Sequence, residues 1–503
     1  MNKYLQKFTL GANGLTNIML ILAILIFAGV LSIRIALVYT YTENLEGVEQ
    51  DEIYTIQRVL AGYPIYEDPE KPPFSITQKT PLYHHLCYAI GKVLDISPEN
   101  PRSIYLLNRW TSLILSLCTI ILAFWIQRRL FQTDVKIALI MCALMFICFE
   151  PHMFCRPDSL YSFLFLVTIA GMWFYARSES QSHTRLFVLT SVMCAVTIFA
   201  KQSAIILPAI FGGYLLFFAR DWKKTLAFAG IFGMSFIILF FLVKGTTTDI
   251  FLKNVYRGVQ NGIEFTWFWE FIYDRSYKKF SLIFLIGFLI IIDWIFIEKS
   301  LQPVKQIISF SLLLTFVFAN ITGLKLGSTP SYFTEYTNLT LIAIPFYYQQ
   351  NWKKYKRNIL IRIRTAIFAA FLLMIPLQTS NKNLLAPFKV ENSHWFARTE
   401  QMNDYFHNNY ALKKGQWIYT NDEVLKLYMF HDALTPQDDI TINLYEEGVF
   451  NYRDFHRAFK DGRTPYLIID HSQDYIEIKD ADFSNYQLID TFQVYKIYAF
   501  QKN

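Results

Sequence analysis

Residues 17–40 read NIMLILAILIFAGVLSIRIALVYT, an apolar run with one charge, at Arg34. At 1.5 Å of rise per residue such a helix reaches roughly 36 Å, more than the hydrocarbon core of a bilayer. The run is too long for the apolar part of a cleaved signal peptide, and no small-x-small site follows it. Within ten residues the chain turns acidic, at Glu49-Gln-Asp51-Glu52-Ile-Tyr54. This alternation of long apolar run and polar external segment sets the reading of the rest.

Outward from it, apolar runs recur at about 109–128, 135–151, 158–176, 185–200, 203–219, 225–243, 281–297, 306–323, 336–349 and 360–377. The expected fold class is a polytopic α-helical membrane protein of about eleven transmembrane helices. Of the 503 residues 53% are hydrophobic and only 17% charged, which excludes a disordered chain and argues against a soluble multidomain enzyme. Residues 379–503 carry a net charge of −5 and the remainder +12. The basic excess lies in short turns: Lys3, Lys7, Arg128, Arg129, Lys136, Arg177, Arg185, Arg220, Lys223, Lys224, Lys299, Lys305 and the run Lys353 to Arg364. That distribution points to orientation and not to nucleic acid. It predicts a multi-pass protein of the cell (inner) membrane, with a cytoplasmic N-terminus and an extracytoplasmic C-terminal tail. All six cysteines fall before residue 195 and none forms a C-x-x-C pair, so neither disulfides nor a thiolate zinc site are expected.

The predicted domains are 1–378, a transmembrane domain with an external loop at 41–108, and 379–503, a small extracytoplasmic α/β domain. In the latter, helical stretches (394–411, 421–430, 451–461) alternate with apolar runs at Gln416–Thr420, Tyr466–Asp470 and Val494–Phe500. Segment 82–95 is too short to span and reads as an interfacial helix. Segment 244–280 reads as a further external loop.

Several external positions could carry chemistry. Asp51 and Glu52 are adjacent carboxylates at a membrane face, suited to a general base; a solvated acidic loop is the other reading. Lys79 stands where a lysine meets a lipid phosphate or snorkels to the interface. His84 and His85 point about 100° apart on a helix and do not chelate together easily. Arg156 and Asp158 open a span beside Pro157; Asp158 there either answers the helix dipole or serves a site. Lys201 interrupts two apolar runs, as a hairpin turn or as a partner for phosphate. Lys325, Gly327, Tyr332 and Glu335 mark another external turn. On this topology Asp51, Lys79, Asp158, Lys201 and Glu335 all face one side.

The order of these segments resembles the GT-C-type integral-membrane glycosyltransferases that use polyprenyl-phosphate sugars, including protein mannosyltransferases and aminoarabinose transferases. The residues carrying the likeness are Asp51-Glu52, Gly62-Tyr-Pro-Ile-Tyr, Lys79-Thr-Pro-Leu-Tyr83, Arg156-Pro-Asp158-Ser-Leu, Lys201-Gln and Gly327-Ser to Tyr332-Phe-Thr-Glu335. The resemblance implies a hexosyl- or pentosyltransferase acting with inversion at the anomeric carbon. A polyprenyl-phosphate sugar is the donor and an extracytoplasmic glycan, lipid or protein the acceptor. It assigns catalysis to Asp51, Glu52 and Asp158, and substrate binding to Lys79, Tyr83, Arg156, Lys201, Tyr332 and Glu335. The resemblance allows a divalent metal ion as a cofactor, but Gln78 stands where family members carry an acidic residue, a departure that argues against a bound metal. A lipid-linked polysaccharide polymerase or ligase is the alternative enzyme, kept by the basic residues Lys253, Arg257, Arg275, Lys278 and Lys279. A secondary transporter would need repeats and midplane charges that this sequence does not display.

Overall fold

A computed structural model describes residues 2–40, 49–149, 156–178, 182–298, 302–355, 395–435, 444–471 and 483–501. The chain divides into two compact units. One comprises 1–37, 112–240 and 263–384, the other 38–111, 241–262 and 385–503.

The first unit is helical. Its elements are α1 (Asn2–Val38), α4 (Pro101–Arg129, which enters from the other unit), α5 (Val135–Cys148), α6 (Asp158–Arg177), α7 (Ser182–Ile198), α8 (Gln202–Phe218), α9 (Trp222–Val243), α11 (Phe265–Ile297), α12 (Pro303–Gly323) and α13 (Thr334–Tyr355). Among the described residues six helices are long and apolar enough to cross a membrane: those at 16–38, 101–129, 158–177, 222–243, 265–297 and 303–323. The protein is therefore a multi-pass membrane protein. The eleventh apolar run, at 360–377, and the side chains of the basic run 353–364 lie outside the described residues.

Local chemistry explains the helix ends. Asp134 caps α5, accepting from the Lys136 amide at 2.9 Å. Pro303 opens α12 where a missing amide hydrogen costs nothing. Arg34, the lone charge of the first apolar run, is buried and donates to the carbonyls of Phe146 (3.1 Å) and Phe149 (2.5 Å) at the end of α5. A cation on the unpaired carbonyls of a helix C-terminus is favourable, so this arginine has a structural partner. A Cβ at Gly287 of α11 would collide with the Tyr336 hydroxyl of α13, so only glycine permits that approach.

Segment 244–280 is not a continuous loop. Residues 248–255 form α10, and the chain is helical from Phe265 onward into the apolar stretch. Glu270, Asp274 and Arg275 lower its hydropathy without breaking its helix.

The second unit holds α2 (Glu49–Leu60), α3 (Leu82–Val93), α10, α14 (Trp395–Asn409), α15 (Glu423–Tyr428), α16 (Arg453–Lys460) and a four-stranded sheet. Gly62, at φ +91°, ends α2 and lets the Tyr63 amide reach the Arg58 carbonyl at 2.9 Å. The strands are β1 (Ile418–Thr420), β2 (Tyr466–Asp470), β3 (Tyr486–Phe492) and β4 (Tyr495–Phe500), in the order β1-β2-β4-β3. β1 and β2 are parallel, Ile418 opposite Tyr466; the other pairs are antiparallel. One face packs Met402, Phe406, Ile418, Met429, Ile468 and Ile497. The other packs Tyr419, Leu467, Phe455 and Phe459 together with Phe74 and Ile76 from the proline-rich segment between α2 and α3. The Thr435 amide also donates to the Pro73 carbonyl at 2.8 Å. The proline-shaped loop is thus part of the sheet's core.

Candidate functional site

In the membrane unit, three helix ends bring sequence-distant groups together. Asp158 opens α6, Lys201 occupies the turn between α7 and α8, and Glu335 lies in the first turn of α13. Lys201 Nζ donates to Asp158 Oδ1 at 2.5 Å, with the two side chains only 7% and 6% exposed. Its ammonium stands 5.5 Å from the ring centre of Tyr161 and 5.1 Å from that of Tyr332. Such faces attract a desolvated cation. Tyr161 donates to the buried Glu335 carboxylate. Arg156 is also buried, and its carbonyl accepts from the Ser159 amide at 3.2 Å and hydroxyl at 3.1 Å. Asp158, Lys201, Tyr332 and Glu335, expected from sequence, are therefore one cluster. Tyr161 was not foreseen; in sequence it is one more aromatic residue in an apolar helix.

In the second unit, the acidic first turn of α2 fans out, because successive helical residues differ by about 100°. Glu49 forms a buried two-pronged pair with Arg109, at 2.7 and 2.9 Å, and Arg109 also donates to the Thr40 carbonyl at 2.5 Å. Glu52 is buried 2.8 Å from His84 Nε2. Asp51 remains partly exposed and lines a cleft with Gln50, Thr77, Glu423, Lys426 and Thr435. The adjacent carboxylates thus have unlike surroundings: Glu52 is buried against His84, while Asp51 is partly exposed at the cleft. The pairings of Glu52 with His84 and of Glu49 with Arg109 escaped the sequence reading, since nothing local couples positions 32 or 60 residues apart.

The remaining loop residues are held by backbone and side-chain contacts. The Lys79 carbonyl accepts from the Tyr66 hydroxyl at 2.8 Å. Tyr83 is buried and donates to Asn108. Gln78 donates its amide to the Gly258 carbonyl, so a neutral group engaged with backbone stands where the resemblance has an acid. Burial holds the Glu67 carboxyl above its usual range, although Arg58 beside it pulls the other way. Among the described residues no group of three or more His, Cys, Asp or Glu is arranged to hold a metal ion.

Membrane-crossing helices, buried charge at their ends and a small α/β domain define a GT-C-like fold. No protein-family profile matches the sequence, nor does any curated protein. Solved structures do. ArnT from Cupriavidus metallidurans, bound to undecaprenyl phosphate, matches with a TM-score of 0.60 at 13% identity, over 95% of this chain and 97% of that one. An oligosaccharyltransferase from Archaeoglobus fulgidus, in complex with Zn and sulfate, matches with a TM-score of 0.57 at 12% identity, over 90% and 68% of the two chains. AglB from the same organism, with an inhibitory peptide and a dolichol-phosphate, gives 0.56 at 12% identity, over 89% and 69%. At such identities the likeness establishes the fold; chemistry has to be argued from the residues.

Proposed function

We propose that this protein is an integral-membrane glycosyltransferase that moves a sugar from a polyprenyl-phosphate-linked donor to an extracytoplasmic acceptor, inverting the anomeric carbon. The observation carrying the proposal is a fold shared over nearly the whole length of ArnT, which was solved with undecaprenyl phosphate. The dolichol-phosphate in AglB supports the same class of lipid.

In this reading Asp51 is the general base. Its partial exposure at a cleft suits a group that must meet the acceptor. Asp51 takes the proton of an acceptor hydroxyl or amine, whose oxygen or nitrogen bonds to the anomeric carbon. The bond from that carbon to the phosphate oxygen breaks, and polyprenyl phosphate leaves with the electron pair. Negative charge grows on that phosphate, so a fixed cation lowers the barrier. Lys79 and Lys201 are the two candidates for that task, and single substitutions separate them. Arg156, Tyr332 and Glu335 are assigned to donor binding around Lys201, with Asp158 fixing its ammonium. Tyr83 and Glu52 support helix α2, which carries Asp51.

Residues 1–378 are taken as the transferase domain and 379–503 as an extracytoplasmic domain of the inner membrane protein, with the N-terminus cytoplasmic. Mass spectrometry of membrane lipids and envelope glycans, with and without the gene, tests the proposal. Loss of one glycan modification with accumulation of a polyprenyl-phosphate sugar is expected. Unchanged lipids and glycans, together with no donor consumption by purified protein, would overturn it.

A further inference from the structure

Arg109 lies in the part of α4 that belongs to the unit containing the sheet. Its Nε donates to Glu49 Oε1 at 2.7 Å, its Nη2 to Glu49 Oε2 at 2.9 Å, and its Nη1 to the Thr40 carbonyl at 2.5 Å. The two side chains are 1% and 0% exposed, so the pair is fully desolvated. Glu49 opens α2, two residues before Asp51. Glu52, one residue after Asp51, lies 2.8 Å from His84 of α3. The partly exposed Asp51 therefore sits in one helical turn between two buried anchors that reach to different helices. The Arg109 anchor fixes orientation as well as distance, because both carboxylate oxygens of Glu49 meet a rigid, permanently charged fork.

Stability alone does not account for this arrangement. Desolvating two charges is costly, and an apolar pair of similar volume often holds such a place as well or better. What the charged pair adds is direction: it sets where the first turn of α2 lies, and with it the carboxylate of Asp51. We infer that Arg109 is a positioning residue for the transfer reaction, acting through Glu49 to hold Asp51 where it meets the acceptor. The inference rests on the transferase reading with Asp51 as base, and deepens it. A reacting group displaced by about 1 Å costs about a hundredfold in rate.

The full chain in nanodiscs tests it, supplied with membrane lipids and envelope glycans from cells lacking the gene as donor and acceptor. Glu49→Leu combined with Arg109→Met should melt close to wild type and keep the donor KM, yet transfer about a hundredfold more slowly. Arg109→Lys keeps the buried charge but loses the fork, and its rate should fall between the two. Sodium azide supplies a readout that a structural role would not move. Its nitrogen bonds to the anomeric carbon with no proton to give up, the bond to the phosphate oxygen breaks, and polyprenyl phosphate leaves with the electron pair. Donor consumption with azide should therefore be about equal for wild type and both variants. A paired variant of wild-type stability that transfers at the wild-type rate overturns the inference. So does azide-driven consumption that falls as far as transfer does, since the whole site is then disturbed. If the paired variant fails to fold, Arg109→Lys decides by the same two readings; failure of both to fold makes Arg109 purely structural and also overturns it. Failure of the transferase reading looks different: wild-type protein then consumes no donor with either nucleophile. A wrong base shows separately, as normal transfer by Asp51→Asn.

Discussion

Lys201 and Asp158 meet at 2.5 Å across 43 residues of sequence, each almost fully buried, at the ends of two apolar helices. Removing one member of such a pair strands a charge, which costs about 3–5 kcal/mol, whereas replacing both by apolar groups is often neutral. Lys201→Met should therefore lower the melting temperature in detergent markedly, and Lys201→Met with Asp158→Leu should recover most of it. Equal stability of the single variant and wild type would show that the pair does not hold these helix ends.

Asp51 and Glu52 should separate cleanly. Asp51→Asn keeps size and hydrogen bonding but removes the base, and a lost base lowers the rate by about a hundredfold to ten-thousandfold. Its melting temperature should stay at the wild-type value. Glu52→Gln disturbs the buried contact with His84 and should lose about 1–3 kcal/mol of stability, with transfer retained by the folded fraction. Near-normal transfer by Asp51→Asn would remove it from the mechanism.

Asp490 offers a pH test outside the membrane. Its carboxylate accepts from Tyr405 at 2.5 Å, Tyr410 at 2.7 Å and the Thr491 amide at 2.8 Å. These bonds, Tyr405 first, hold its pKa below the ordinary value of 3.8. A depressed carboxylate stabilises the fold fully above the unfolded pKa and loses that contribution as pH falls through the folded one. The stability difference between wild type and Asp490→Asn should hence be constant above about pH 5 and shrink below about pH 4. A difference that does not vary with pH would mean that the bonds do not favour the charged form.

Orientation can be read by labelling. Single cysteines at residues 45 and 450 should react with an impermeant maleimide from outside intact cells, and one at residue 355 should not. A protected residue 450 would put the C-terminal domain on the side opposite to that proposed.

Much of this architecture was legible because apolar length and basic turns are local signals. The cluster of Asp158, Lys201 and Glu335 was legible too, since each is an ionisable residue interrupting or bordering an apolar run. Strand β3 was not: Gln487, Leu488, Ile489 and Asp490 alternate poorly, and Leu488 and Ile489 are exposed at 50% and 42%. Its place comes from pairing with β4, not from its own pattern. The helical start of α11 was masked by Glu270, Asp274 and Arg275, which depress hydropathy without opposing helix. Glu49–Arg109 and Glu52–His84 were invisible for another reason: a buried ion pair joins residues whose neighbours in sequence say nothing of the partner.

The rings of Phe74 and Phe455 pack edge to face at 5.1 Å within one core, yet about 380 residues of chain separate them. A ribosome adding about 5–20 residues per second needs roughly 20–80 s to bridge that gap. During the wait the membrane helices are made and inserted, while Phe74 and Ile76 have no sheet to cover them. The order of synthesis thus leaves the apolar side chains of the proline-shaped loop uncovered until residues near Phe455 have been made.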